Sequence, residues 1–252
     1  MLAEAKIWIP NVFILVACVA VIIVLWRMSN QADIKLLEDL TACGAELRTC
    51  VRELLHRHEY LGDTKTVMVV GYVDLAFEHH KAIWLLKDCQ LYGAAFALVG
   101  PVFDAWLRAL WINSIATGKE IEQASHDKLR FPPMDRMLAN IKQGYFGHAE
   151  QDAAFAAVVD RFFQFLTPLW RVLSGYTHPG TRQLARRFTG AQVKASYTHS
   201  EIAQALNLAT MALMLLMRAF FVSMGKQAEA DEVEALLMQY FAEFNERLNK
   251  GQ

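Results

Sequence analysis

The sequence predicts an all-α protein, an N-terminal single transmembrane helix followed by an up-down helical bundle. Three observations predict it. One long apolar run lies near the N-terminus. Apolar residues recur at spacings of three and four through most of the remaining chain. Glycine and proline are scarce, Gly 13 and Pro 6 in 252 residues, which suits long helices better than a turn-rich β protein.

The apolar run covers Val12 to Trp26 and extends back to Ile7, close to the ~20 residues that cross a bilayer. Lys6 and Arg27 bracket it, and Trp8 and Trp26 sit at its ends, where amphipathic rings favour the headgroup level. The alternative, a cleaved signal peptide, lacks a small-x-small site after Trp26, where Arg27, Met28 and Ser29 follow. Residues 1–29 are therefore read as a membrane anchor, with 7–27 in the bilayer, and 30–252 as one helical domain. Arg27, Lys35, Arg48 and Arg52 downstream, against Lys6 and Glu4 upstream, place that domain on the cytoplasmic side of the inner membrane by the positive-inside rule. The four cysteines form no CxxC pair and read as buried, reduced thiols, which fits a cytosolic domain.

After the anchor, Ile34, Leu37, Leu40, Leu47, Val51, Leu54 and Leu55 mark a helix within Ser29–Tyr60. Gly62-Asp63-Thr64 breaks it, with Asp63 or Thr64 capping a second helix over about Lys65–Cys89 that buries Val69, Val73, Ala76, Phe77, Ile83, Trp84 and Leu85. A third runs from about Ala94 to Ala116, and Gly100-Pro101 inside it predicts a kink. Thr117–Gly147 is the least regular region, with a short helix over Met134–Lys142. Asp152–Tyr176 is strongly amphipathic and stops at Pro179-Gly180. A basic loop comes next, then helices at about Ser200–Met224 and Glu229–Asn249, with no strand expected. Tyr92–Ile112 and Leu206–Met224 are apolar enough to be mistaken for membrane spans. Asp104, Arg108 and Arg218 within them argue for core helices of a bundle, and Met211, Met214 and Met217 for core filling.

Composition excludes several classes. A chain that is 54% hydrophobic with net charge −1 is not disordered, and Lys+Arg 25 against Asp+Glu 26 is not a generally basic nucleic-acid protein. No P-loop, GxGxxG, GxSxG, EF-hand or HExxH pattern is present, so no cofactor and no metal is expected. Glu78, His79 and His80 cannot hold one metal together, because neighbours on a helix point about 100° apart; they read as solvated helix residues, with an approach of Glu78 to a polar pocket as the alternative.

Chemistry concentrates around Arg171 and His178, with six residues between them at the end of a long helix. Histidine can exchange a proton at neutral pH, and arginine can hold phosphate charge. Together they could cleave RNA through its 2′-hydroxyl without metal. Arg182, Arg186, Arg187 and Lys194 would hold the backbone. The same residues also read as a helix cap (His178) and a solvated basic face. Asp104 and Arg108, four apart, read either as an ion pair fixing the bundle or as part of a polar pocket shared with His178 and Arg171.

This Arg-x6-His pattern resembles the signature of the HEPN superfamily, an arginine and a histidine separated by four to six residues. Tyr72-x-Asp74-x3-Glu78-His79-His80, Ala94 to Leu98 through Phe103-Asp104-x3-Arg108-x2-Trp111, and Tyr176-Thr177-His178-Pro179-Gly180 with Arg186-Arg187 are similar to a bacterial family of HEPN-like proteins. The resemblance spans roughly Glu38 to Lys226. It implies a helical bundle, often a homodimer with the motif at the interface, and in many members a metal-independent ribonuclease of phage defence or stress response. The motif carries over to Arg171 and His178 only. Active members usually have a polar residue after the arginine, where this chain has Val172. Inactive members exist, so a catalytically silent, membrane-anchored module binding a protein partner is the alternative.

Overall fold

The computed structural model describes residues 34–57, 62–126, 128–146, 153–177, 181–189, 192–193 and 195–250. The expected membrane helix at 7–27, His178 and Lys194 lie outside the described residues. Within them the chain is all-α apart from one two-residue strand pair.

Helix α1, Ile34–His56, buries Leu47, Val51 and Leu54, one stripe at spacings of four and three. Asp63 caps α2, Thr64–Asp88, by accepting the Thr66 N–H at 2.9 Å, as its position before the apolar repeat predicts. α2 buries Val69, Val73, Ala76, His80, Ile83 and Trp84. Two expectations fail on this helix. Leu85 is 57% exposed, because it lies on the side away from that stripe, and His80 is buried. At the helix end Gln90 takes φ 59°, and Leu91 N–H closes the turn onto Leu86 O at 2.8 Å. The chain can then reverse directly into α3, Tyr92–Ser114.

α3 and α8, His199–Ser223, are apolar nearly all round because both run through the middle of the bundle. Both are long and apolar enough to cross a membrane, yet most of each is buried within the protein, as a core helix requires. α3 packs against α2, α8, the helix Ala153–Thr177 (α6) and the helix Met134–Phe146 (α5). Met211, Met214 and Met217 are buried core residues of α8, as expected. Thr198 and Glu201 cap that helix reciprocally, each side chain bonding the other's backbone N–H. Gly225, at φ 68°, ends the turn after α8, a conformation that costs glycine no Cβ clash. The chain then returns along α8 as α9, Gln227–Lys250.

Two regions expected to be irregular hold short elements. Thr117 and Glu120 form a capping box that starts α4, Gly118–Ser125. The basic stretch after residue 180 forms α7, Thr181–Ala185, and a hairpin pairing Phe188 with Val193 and Thr189 with Gln192 (β1 and β2). Cys50 and Cys89 are free but exposed, against the expectation of buried thiols, because both fall off the buried stripes of α1 and α2.

Candidate functional site

The exit of α6 is held by a defect in α3. Pro101 has no N–H, so the carbonyl of Ala97, four residues earlier, loses its helical donor. The Thr177 hydroxyl, at the last residue of α6, lies 3.3 Å from that carbonyl and 3.2 Å from its own Leu173 carbonyl, and shares its one proton between them. Gly100 makes the approach possible. A Cβ there would lie 2.5 Å from Thr177 Oγ1. The helix meanwhile runs unbroken across Pro101. The Gly-Pro pair that predicts a kink thus serves as the seat on which α6 ends, directly before His178.

The chain beyond the exit folds back onto the same place. Gln183 Nε2 donates to the carbonyls of Tyr176 at 2.5 Å and Gly93 at 3.1 Å. Phe96 packs with its ring tilted against both Tyr176 and Tyr197, and Tyr92 meets Tyr197 edge-on. Burial pushes the Tyr197 phenol above its ordinary pKa, and its buried hydroxyl has no hydrogen-bond partner among the described residues.

The predicted cations here behave differently from one another. Arg186 is committed to the fold: it pairs with Glu201 and donates to the Ser196 carbonyl at 3.2 Å. Arg187 is exposed, its guanidinium lying over Gly93. Arg171 is exposed on α6. Among the described residues neither Arg171 nor Arg187 has an ion-pair partner. Arg182 lies on α7, and nothing is described of its side chain.

Asp104 and Arg108 form an intrahelical ion pair at 2.6 Å. The Arg108 guanidinium also lies 4.2 Å from the centre of the Phe131 ring. Tyr72 of α2 faces the pair, and Arg108 opposes the rise that burial gives its phenol pKa. Arg108 sits eight residues beyond Gly100 on α3, about 12 Å along the axis at 1.5 Å per residue. Besides each other, the described neighbours of this pair are Tyr72 on α2 and Phe131. The described hydrogen-bond partners of Thr177 are the carbonyls of Ala97 and Leu173.

The most buried polar groups escape sequence reasoning. His80 is 1% exposed, where a solvated residue is expected. It lies on α2's buried stripe with Val69, Val73, Ala76 and Ile83, and that register is the signal that could have found it. Trp84 N–H donates to its Nε2 at 3.2 Å, and Thr210 Oγ1 lies 2.9 Å away. An indole N–H is only a donor, so Nε2 accepts and the neutral ring carries its proton on Nδ1. Burial, with the Arg48 charge adding to it, pulls the His80 pKa down to about 3. On α8, Asn207 accepts the Tyr240 hydroxyl, and Arg218 pairs with Glu234 at 3.0 Å. Among the described residues no group of three or more His, Cys, Asp or Glu is placed to hold a metal.

Residues 73–246 match a family of unknown function, DUF6988, and since that covers well over half of the chain, the protein belongs to this family. Neither a curated protein nor a solved structure matches it.

Proposed function

We propose that this family member is a membrane-tethered, metal-independent ribonuclease of the HEPN-like kind, acting in phage defence or stress response. Residues 7–27 anchor it in the inner membrane, with the helical domain on the cytoplasmic side. The observation that carries the reading is the state of Arg171. It is exposed, free of a carboxylate among the described residues, and about two helix turns of sequence before His178. In the reading, His178 takes the 2′-hydroxyl proton as the 2′-oxygen attacks the adjacent phosphorus. Arg171 stabilises the charge that builds on the phosphorane oxygens, and the 5′-oxygen leaves with the proton that the His178 imidazolium returns. The chain then ends in a 2′,3′-cyclic phosphate. Arg187, exposed near the α6 exit, holds the RNA backbone along with Arg182 and Lys194; Arg186 is already occupied by Glu201.

The test is RNA cleavage by the full chain in lipid nanodiscs. Cleavage should be indifferent to EDTA and yield cyclic phosphate ends. His178→Ala should reduce it by about 10²–10⁴, the usual worth of a proton-transfer group. Intact RNA with the wild-type chain removes the reading.

A second reading has its own support. Thr177, Gln183 and Arg186 all direct their hydrogen bonds to backbone carbonyls or Glu201, as in a site built for shape. It makes the protein a catalytically silent, membrane-anchored module that binds a protein partner. Its signature is a stable complex that survives His178→Ala unchanged.

A further inference from the structure

Exposed apolar residues and unpaired positive charge come together at the start of α3. The Arg187 guanidinium lies over Gly93 and Gln183 donates to the Gly93 carbonyl, so α7 and β1 pack on the first turn of α3. Around that contact Leu91 is 55%, Leu184 60% and Phe188 51% exposed. Leu91 is two residues before Gly93, Leu184 follows Gln183, and Phe188 follows Arg187. The stretch from Arg161 to Ser200 holds five arginines and one lysine and no Asp or Glu. Two acids at this end of the bundle are already paired, Glu201 with Arg186 and Asp88 with Lys87.

The chain enters the bundle at the same end. Beyond its last residue α1 is tied to the start of α9, where Arg57 pairs with Glu232 at 3.5 Å. Its first half lies against the end of α2, where a Cβ on Gly44 would meet the Trp84 ring. The two helices are antiparallel. Ile34 is about 15 Å along the axis before Gly44, whereas Asp88 is only about 6 Å beyond Trp84. The start of α1 therefore reaches past the end of α2, on the side where Leu91 and α3 begin. Seven chain steps join Arg27 to Ile34, a span of at most about 25 Å.

We infer that this end of the domain docks on the surface of the bilayer that holds the anchor, with Leu91, Leu184 and Phe188 among the headgroups and Arg187 on the phosphates of anionic phospholipids. The inference rests on the anchor of the proposed function and not on its chemistry. Phosphate is common to lipid headgroups and RNA, and the apolar residues decide between them. Phe188 could stack on a base, but Leu91 and Leu184 have no ring to stack. A bilayer surface takes aliphatic side chains and cations side by side. The short tether holds that surface at high local concentration, so a small contact is enough. While the domain is docked, Arg187 serves lipid rather than RNA.

The test is photo-crosslinking of the full chain reconstituted into phosphatidylcholine vesicles with or without phosphatidylglycerol. The photoreactive residue p-benzoylphenylalanine replaces Leu184, Phe188 or, as the control, Val67. Val67 is as exposed, at 56%, but sits near the start of α2, about 30 Å along that helix from its end. Mass spectrometry should find lipid adducts at 184 and 188 and not at 67. Arg187→Ala should lower the yield at 184 about fivefold, the worth of one cation at an anionic surface. Omitting phosphatidylglycerol should lower it at least as much. A chain that resists alkaline carbonate extraction but gives no adduct at 184 and 188, or as many at 67, keeps its anchor and overturns the docking. Yields indifferent to both phosphatidylglycerol and Arg187→Ala overturn it too. A chain that carbonate extracts has no anchor, and the inference falls with that part of the proposed function. With RNA also present, RNA adducts at 188 in place of lipid would overturn it and give the face to nucleic acid.

Discussion

Arg218 and Arg171 are both arginines in strongly apolar helices, and the protein treats them in opposite ways. Arg218 lies inside the bundle with its side chain 6% exposed, held to Glu234 across the α8–α9 contact. Arg171 stands on the outside of α6 with no described carboxylate near it. A buried charge has to be matched because desolvation is costly. An exposed one costs the fold little whether matched or not, so its identity is free to serve another purpose. The difference separates a half of the molecule built for stability, around α2, α8 and α9, from a half around the α6 exit where polar groups reach the surface. Substitutions on either side test that division.

The largest effect falls in the buried half. Glu234→Ala would leave the Arg218 guanidinium in the core without its counter-ion, and one of its nitrogens already lacks a partner among the described residues. Removing one member of a buried pair typically costs about 3–5 kcal/mol. The partial exposure of Glu234 places this one at the lower end of that range. Urea unfolding of the variant checks it. A loss under about 1 kcal/mol, the scale of an exposed pair, would mean that Arg218 reaches water and the division is false.

His80 makes the same half sensitive to acid. Its folded pKa of about 3 lies below the ordinary 6.5, so the unfolded chain binds the proton first as pH falls. The stability due to the neutral ring is fully present above about pH 6.5. It declines by about 1.4 kcal/mol per pH unit below that, until the folded protein also titrates near pH 3. Unfolding free energies measured from about pH 7 to about pH 4 should show this slope, and His80→Asn should flatten it. An unchanged slope in the variant would assign acid sensitivity to other groups.

At the boundary between the halves, Thr177→Val would remove the hydroxyl that serves the Ala97 carbonyl. The expected cost is about 1 kcal/mol, one ordinary hydrogen bond. If the α6 surface works on RNA, the same change should lower cleavage more than it lowers stability, since the α6 exit would lose its seat while the core stays intact. Equal, small effects on both would make the link a matter of packing alone.

How far the sequence announces all this depends on the kind of signal. Periodicity makes the long helices, the two core helices α3 and α8 and the methionine core legible, because burial of a stripe repeats over many residues. Short elements set by one local cap, such as the Thr117–Glu120 box that starts α4, carry no such repeat. The polar residues are the hardest. His80 looks like a neighbour of exposed Glu78, and only its register with Val73, Ala76 and Ile83 marks it as buried. Arg186 and Arg187 are adjacent in the chain, yet one is tied to Glu201 and the other is free of any described carboxylate. Nothing in their spacing separates them, because the tie comes from a residue on α8, fifteen positions beyond Arg186. The Thr177 seat is legible in principle, since a proline inside a helix always frees the carbonyl four residues before it. What supplies the missing donor is a tertiary contact.

The smallest effect on stability belongs to the outer half and carries the most information. Arg171→Ala should change the unfolding free energy by less than about 0.5 kcal/mol, as exposed substitutions away from such ties usually do. Arg186→Ala should cost about 1 kcal/mol, because its partners Glu201 and the Ser196 carbonyl are half-buried with it. If the α6 surface works on RNA, activity should rank the two the other way. Arg171→Ala should abolish cleavage at full stability, while Arg186→Ala should keep cleavage at reduced stability. Measuring both quantities on both variants in the same nanodisc preparation makes the comparison independent of expression level. Cleavage that survives Arg171→Ala would leave that cation a solvated surface charge and pass the α6 exit to the partner-binding reading.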